Sequence, residues 1–83
     1  MTERTSPSNA EMVDGDPASI RWLTPAGEPV ACVGKLEVLA ENLLELRQMA
    51  QDALEDAILM GCDEAQTRRV LAQLVAGLEN PYA

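Results

Sequence analysis

Apolar residues recur every three or four positions between Lys35 and Met60, and no proline or glycine interrupts them. This spacing is the a/d heptad series of a helix that packs lengthwise against another helix. Leu, Ala, Glu and Gln dominate the stretch, and Gly61 then suits the left-handed residue that ends a helix. The pattern predicts one long helix over residues 35–60. Its apolar series consists of Leu36, Leu39, Leu43, Leu46, Ala50, Ala53, Ala57 and Met60.

The acidic residues of this stretch fall on the opposite side of the predicted helix when positions are set at 100° per residue. Several of them form like-charge i,i+4 pairs, each of which costs a helix a few tenths of a kcal/mol. Helix stability alone therefore does not account for this acidic ridge. It suits either a solvated surface or docking against a basic groove. The ridge consists of Glu37, Glu41, Glu45, Asp52, Glu55 and Asp56.

A second, shorter helix is predicted over residues 64–79. Asp63 is a good N-cap, and Gln66 stands three residues on, where a capping box has Glu or Gln. Glu64 and Arg68 form a favourable i,i+4 pair. Proline after Asn80 is expected to stop the helix. Its apolar side consists of Thr67, Val70, Leu71, Leu74, Val75 and Leu78.

The short connection at residues 61–63 predicts that the two helices form an antiparallel hairpin. Folding back at that point places small residues of the first helix against larger residues of the second along most of the seam, which favours close packing. The shorter helix cannot cover the whole length of the longer one. The first three leucines of the series, Leu36, Leu39 and Leu43, are left for another element or a partner. The predicted pairs are Ala57–Thr67, Ala53–Leu71, Ala50–Leu74 and Leu46–Leu78.

The segment before the long helix changes character along its length. Residues 1–18 are rich in Ser, Thr, Pro, Asn and acids, which is typical of a disordered arm. Residues 19–83 are expected to form one small domain. Within it, two strand-like runs around a turn at residues 24–27 predict a β-hairpin over residues 20–33. Trp22 is the expected anchor of that hairpin on the helices, or else a recognition residue for a partner.

Composition narrows the function. The chain has 83 residues and a formal net charge of −8, which argues against direct binding to nucleic acid or anionic membranes. Histidine is absent, so the commonest general base and neutral metal ligand are missing. The cysteines, Cys32 and Cys62, flank the long helix and are too far apart on this interpretation for an intrachain disulfide. No apolar run is long enough to span a membrane and no secretion signal is evident, so we expect a cytoplasmic protein.

These observations predict a mainly α protein without catalytic activity, cofactor or metal. The preferred hypothesis is a protein-interaction module, as a homodimer or with another protein, in an accessory, regulatory or chaperone-like subunit of a bacterial-type complex. The alternative is an acidic inhibitor that mimics nucleic acid and blocks a basic protein surface. No small-molecule substrate is inferred. The candidate interface residues are Trp22, Leu36, Leu39, Leu43, Glu41, Glu45 and Asp52.

Overall fold

The computed structural model describes residues 11–82, and these are mainly helical. Helix α1 spans Val33–Leu59 and helix α2 spans Glu64–Ala76. The chain divides after Glu45 into two compact units. The helical pair formed by the second half of α1 and α2 lies in the second unit. The predicted mainly α fold with a long helix followed by a shorter one is confirmed.

Helix α1 begins two residues earlier than predicted and ends where the sequence indicates. The carbonyl of Cys32 accepts from the Leu36 amide at 3.0 Å, which is the first turn of the helix. At the other end, the Gly61 amide donates to the Ile58 carbonyl at 3.0 Å. The Cys62 amide donates to the Ala57 carbonyl at 2.8 Å. This pair of bonds is a Schellman motif, and Gly61 has the left-handed φ of 93° that the motif requires.

Helix α2 begins with the predicted cap. The Asp63 carboxylate accepts from the Gln66 amide at 2.8 Å, and the Asp63 carbonyl accepts from the Thr67 hydroxyl at 2.8 Å. The predicted pair is also formed, with Arg68 Nε 2.9 Å from Glu64 Oε2. Both of these side chains are more than half exposed. Such a pair contributes only a few tenths of a kcal/mol. The Asp63 cap is therefore the stronger of the two features that favour the start of α2 at this point.

Helix α2 ends earlier than predicted, and this corrects the boundary at residue 79. Its last residue is Ala76, and Gly77 is the C-cap. Glycine is a poor helix former, and the residue before a proline disfavours helical backbone, so Gly77 and the Asn80–Pro81 step together leave no stable turn between them. Leu78, predicted to face Leu46, lies beyond the helix and is 76% exposed.

The predicted β-hairpin over residues 20–33 is not formed, because the described residues contain no strand. One isolated antiparallel bridge joins Leu23 to Pro29. Between them the Gly27 amide donates to the Thr24 carbonyl at 2.8 Å, and Gly27 has a left-handed φ of 87°. The predicted turn is therefore present without its strands. Two backbone bonds flank this bridge, from the Thr24 amide to the Glu28 carbonyl at 2.7 Å and from the Val30 amide to the Trp22 carbonyl at 3.0 Å. The pairing goes no further, and α1 begins at Val33, within the second predicted strand.

Residues 13–19, most of which belong to the predicted arm, hold two short turns of 3-10 helix, Val13–Gly15 and Pro17–Ser19. The Asp16 carboxylate accepts from the Ala18 amide at 3.0 Å, and the Ser19 hydroxyl accepts from the Val13 amide at 2.7 Å. Pro17 is buried. Residues 1–10, the rest of the predicted arm, lie outside the described residues.

The buried line of α1 differs from the predicted series by one position at two places. Ala40 and Leu54 are each only 9% exposed and are the buried hydrophobic side chains of the two helices. Ala50 and Ala57 are half-buried, whereas Ala53 is exposed. Ala53 was predicted to face Leu71, so this register is wrong. A line through residues 36, 40, 43, 50, 54 and 57 has spacings of three and four except between 43 and 50, where the exposed Arg47 takes the intermediate position. Tertiary packing selects this line because it turns the larger Leu54 inward.

Candidate protein-interaction surfaces

Five apolar side chains lie on one side of the helical pair in the second unit. At 100° per residue, Leu46, Met49 and Ala53 fall on one flank of the α1 line that passes through Leu54. With α2 folded back along α1, Val70 and Leu74 fall on the matching flank of α2. All five are exposed. We call the set Leu46, Met49, Ala53, Val70 and Leu74 the hairpin face.

The hairpin face contains large apolar side chains that are exposed to solvent. Met49 is 71% exposed, Leu74 64% and Leu46 49%, whereas Leu54 is the single buried side chain among residues 46–82. Fully burying a side chain of this size contributes about 1.5–3 kcal/mol. Contiguous exposed apolar patches on soluble chains mark interaction sites. The face is therefore the strongest candidate surface of the second unit.

The two edges of the hairpin face carry opposite charge. Asp52 and Asp56 lie along its outer edge on α1, and Arg69 lies at its outer edge on α2, next to Gln66 and Gln73 by helical position. All five are exposed. A second copy turned by 180° about an axis parallel to the helices would place its acidic edge over Arg69. The face is thus complementary to itself in charge as well as in apolar character.

The acidic ridge is exposed along α1. All six of its carboxylates are exposed. Two of them are held by glutamines one turn earlier, with Gln48 Nε2 2.9 Å from Asp52 Oδ1 and Gln51 Nε2 2.8 Å from Glu55 Oε2. These bonds fix two carboxylates in position and leave them accessible to solvent.

A groove of about 550 Å³ lies within the first unit. One wall is the segment from the 3-10 turn to Trp22, including Pro17 and Ile20. The other wall is the first half of α1, including Val33 and Ala40. Most of the lining is apolar. The charged groups among the described residues that line it are two carboxylates of the ridge, those of Glu37 and Glu41.

The groove brings together some of the candidate residues and separates others. Trp22, Leu36 and Glu41 all line it. Leu39 and Leu43 are half-buried but are not part of the lining, and Glu45 and Asp52 are exposed outside it.

The first three leucines of the predicted series were expected to need cover from another element of the chain or from a partner. Leu36, Leu39 and Leu43 are all half-buried, and the exposed residues Leu46 and Met49 lie further along α1. Both halves of α1 thus expose apolar side chains, with Val33 68% and Val38 54% exposed in the first half.

Sequence reasoning missed both the hairpin face and most of the groove. Met49 stands one position before the half-buried Ala50 and outside the predicted series, and its size was the available signal. Ile20 and Val33 were assigned to strands, which hid their contribution to a groove wall. Leu44 also lines the groove and is 41% exposed.

Other kinds of site find little support in the described residues. No group of three or more His, Cys, Asp or Glu side chains within residues 11–82 is arranged to hold a metal ion. Cys32 and Cys62 are both free and exposed. Neither α1 nor α2 is long and apolar enough to cross a membrane.

Comparisons with protein-family models, with curated proteins and with solved structures find no match to this chain.

Proposed function

We propose that this chain is a non-catalytic protein-interaction module that pairs with a second copy through the hairpin face. The observation that carries the proposal is the exposure of Leu46, Met49 and Leu74 on one side of a helical pair that buries only Leu54. Two helices provide one line of contact, and covering a second face requires another layer. A second copy supplies two more helices, which gives the four-helix arrangement that chains of this size commonly use.

The opposite charges at the edges of the face support a second copy as the occupant. The closed two-fold contact is the commonest form of association for soluble proteins, and it requires a patch that matches itself. Arg69 at one edge and Asp56 at the other meet this requirement. An accessory or regulatory role in a cytoplasmic complex is consistent with such a dimer, whose remaining surfaces stay available to other partners.

The test compares two substitutions on the same helix. Met49→Glu places a charge on the hairpin face, and Leu59→Glu places the same charge at a residue that is 84% exposed and lies off the face. We expect light scattering to give twice the chain mass of 9.0 kDa for the wild type and for Leu59→Glu. Met49→Glu should give the single-chain mass at the same concentration, with its helical circular dichroism retained.

A monomeric wild type at about 100 µM would contradict pairing through the face, as would a dimer that Met49→Glu leaves intact. An oligomer disrupted equally by both variants would mean that added charge, rather than the face, is responsible.

The exposed acidic ridge supports a second candidate, an inhibitor that occupies the nucleic-acid site of a basic protein. Reversing Glu41, Glu45 and Asp52 to Lys should abolish such binding with little effect on stability. Raising the salt concentration should weaken it strongly, because exposed charges are screened over about 10 Å at 0.1 M. The hairpin-face variant Met49→Glu should leave it unchanged, which separates the two candidates.

A further inference from the structure

We infer that the groove of the first unit binds a basic, amphipathic helix of a partner protein. This site is separate from the hairpin face, and the inference holds whether or not the chain pairs with itself. Its volume of about 550 Å³ falls within the range of ligand-binding clefts and is large enough to hold several apolar side chains.

The walls of the groove are held by local bonds before any partner arrives. The Ser19 amide and the Ser19 hydroxyl both donate to the Asp16 carbonyl, at 3.0 Å and 2.7 Å. The Ile20 amide donates to the Pro17 carbonyl at 3.3 Å. On the opposite side Val33 and Ala40 belong to the regular helix α1. A wall that is already ordered lowers the entropy lost on binding.

The apolar lining of the groove indicates that the partner helix has an apolar face. Trp22 is half-buried and Leu44 is 41% exposed, so both retain surface that a partner can cover. Grooves of this kind take the apolar face of a helix, whose side chains enter at positions i, i+3 and i+4.

The negative charge at the groove indicates that the partner helix is basic. Glu37 and Glu41 are exposed, stand one helical turn apart, and are the charged residues among the described lining. Residues at i and i+4 on a helix are about 6 Å apart. Lysines or arginines spaced by one turn on a partner helix match that interval, and the net charge of −8 favours their approach.

Trp22 is the only tryptophan of the chain and lines the groove, so its fluorescence reports directly on occupancy. The probe is a synthetic 15-residue helical peptide of Lys, Leu and Ala with blocked ends, which has no aromatic residue. Two further peptides serve as controls, one with every Lys replaced by Glu and one with every Leu replaced by Gln. We expect the Lys–Leu peptide alone to shift the Trp22 emission in a saturable way.

The protein variants separate the groove from general attraction to an acidic chain. Glu37→Gln with Glu41→Gln removes the charge at the groove, whereas Glu55→Gln with Glu79→Gln removes the same charge from exposed positions outside it. We expect roughly fivefold weaker binding for the first pair and less than a twofold change for the second. Leu44→Gln should also weaken binding roughly fivefold, through its apolar contact.

Three results would overturn the inference: no Trp22 response to the Lys–Leu peptide at millimolar concentration, an equal response to the Glu peptide, or equal affinities for the two charge-removal variants. The molar mass of each variant is measured in parallel. A change in molar mass without a change in the Trp22 response would indicate an effect on pairing through the hairpin face and none on the groove.

Discussion

The two halves of α1 have the same kind of sequence and different surroundings. In the first half, Ala40 is buried and Leu36, Leu39 and Leu43 are half-buried. An irregular segment, from the 3-10 turn to Trp22, forms the other wall of the groove that this half lines. In the second half a regular helix buries only Leu54. An irregular segment can follow the shape of a helix surface, whereas a second helix contacts it along one line. Leu46 and Met49, which lie beside that line in the second half, remain exposed.

The two halves of α1 therefore offer different kinds of surface. The covered half keeps a shaped groove with an acidic border, which suits recognition of a short segment. The half paired with α2 keeps a broad apolar face, which suits contact with another pair of helices. We therefore expect perturbations to act locally, and the predictions below rank them by size.

The largest effect is expected at the buried residue of the helical pair. Leu54→Ala should lower the free energy of unfolding by about 2–3 kcal/mol, because it removes a side chain that is 9% exposed and leaves a cavity. Leu59→Ala makes the same change at a side chain that is 84% exposed and should cost less than about 0.5 kcal/mol. Urea unfolding followed by circular dichroism at one fixed concentration compares them. Equal losses would show that Leu54 is not the centre of the pair.

A smaller effect is expected in the first unit. Trp22→Ala should cost about 1–2 kcal/mol, below the 3–5 kcal/mol of a fully buried aromatic residue, because Trp22 is half-buried. Hydrogen exchange should accelerate at the Ser19 and Ile20 amides and remain unchanged in residues 50–76. Leu23→Ala, at a neighbour that is 58% exposed, is the control and should change neither region. Faster exchange throughout α2 would contradict the expectation that a substitution in the first unit leaves the second unit unchanged.

The smallest change in stability is expected for alanine substitutions of two glycines at the two ends of α1. Gly61→Ala should cost about 1 kcal/mol, since a side chain there must adopt a φ of 93°. Gly34→Ala, inside the first turn of α1, should leave stability unchanged or raise it by up to about 0.5 kcal/mol. An added Cβ meets no atom within 4 Å at either position, so backbone conformation alone distinguishes them. Thermal unfolding measures both, and a loss at Gly34 as large as that at Gly61 would refute this explanation.

The parts of the fold that depend on neighbouring residues were predictable from the sequence. The stop at Gly61 and the cap at Asp63 were identified because each depends on backbone groups within six positions along the chain. The ion pair of Glu64 and Arg68 was identified for the same reason. These features require no knowledge of what packs where.

The parts that depend on tertiary packing were predicted incorrectly. Two a/d lines fit the spacing of α1, and only contact with α2 distinguishes Ala53 from Leu54 as the inward residue. The apolar runs on either side of the turn at residues 24–27 suggested two strands, but the end of the second run belongs to α1, which begins at Val33. The groove could not be predicted, because its walls come from segments whose approach is not encoded by any local spacing.

The hairpin face has a thioether near its middle. Met49 is 71% exposed, and an oxidant that adds one oxygen to its sulfur turns a flexible apolar side chain into a polar one. Leu54, which holds the two helices together, contains no atom that reacts in this way. If two copies pair as proposed, mild peroxide should therefore separate them while each retains its helices, and methionine sulfoxide reductase should restore the association.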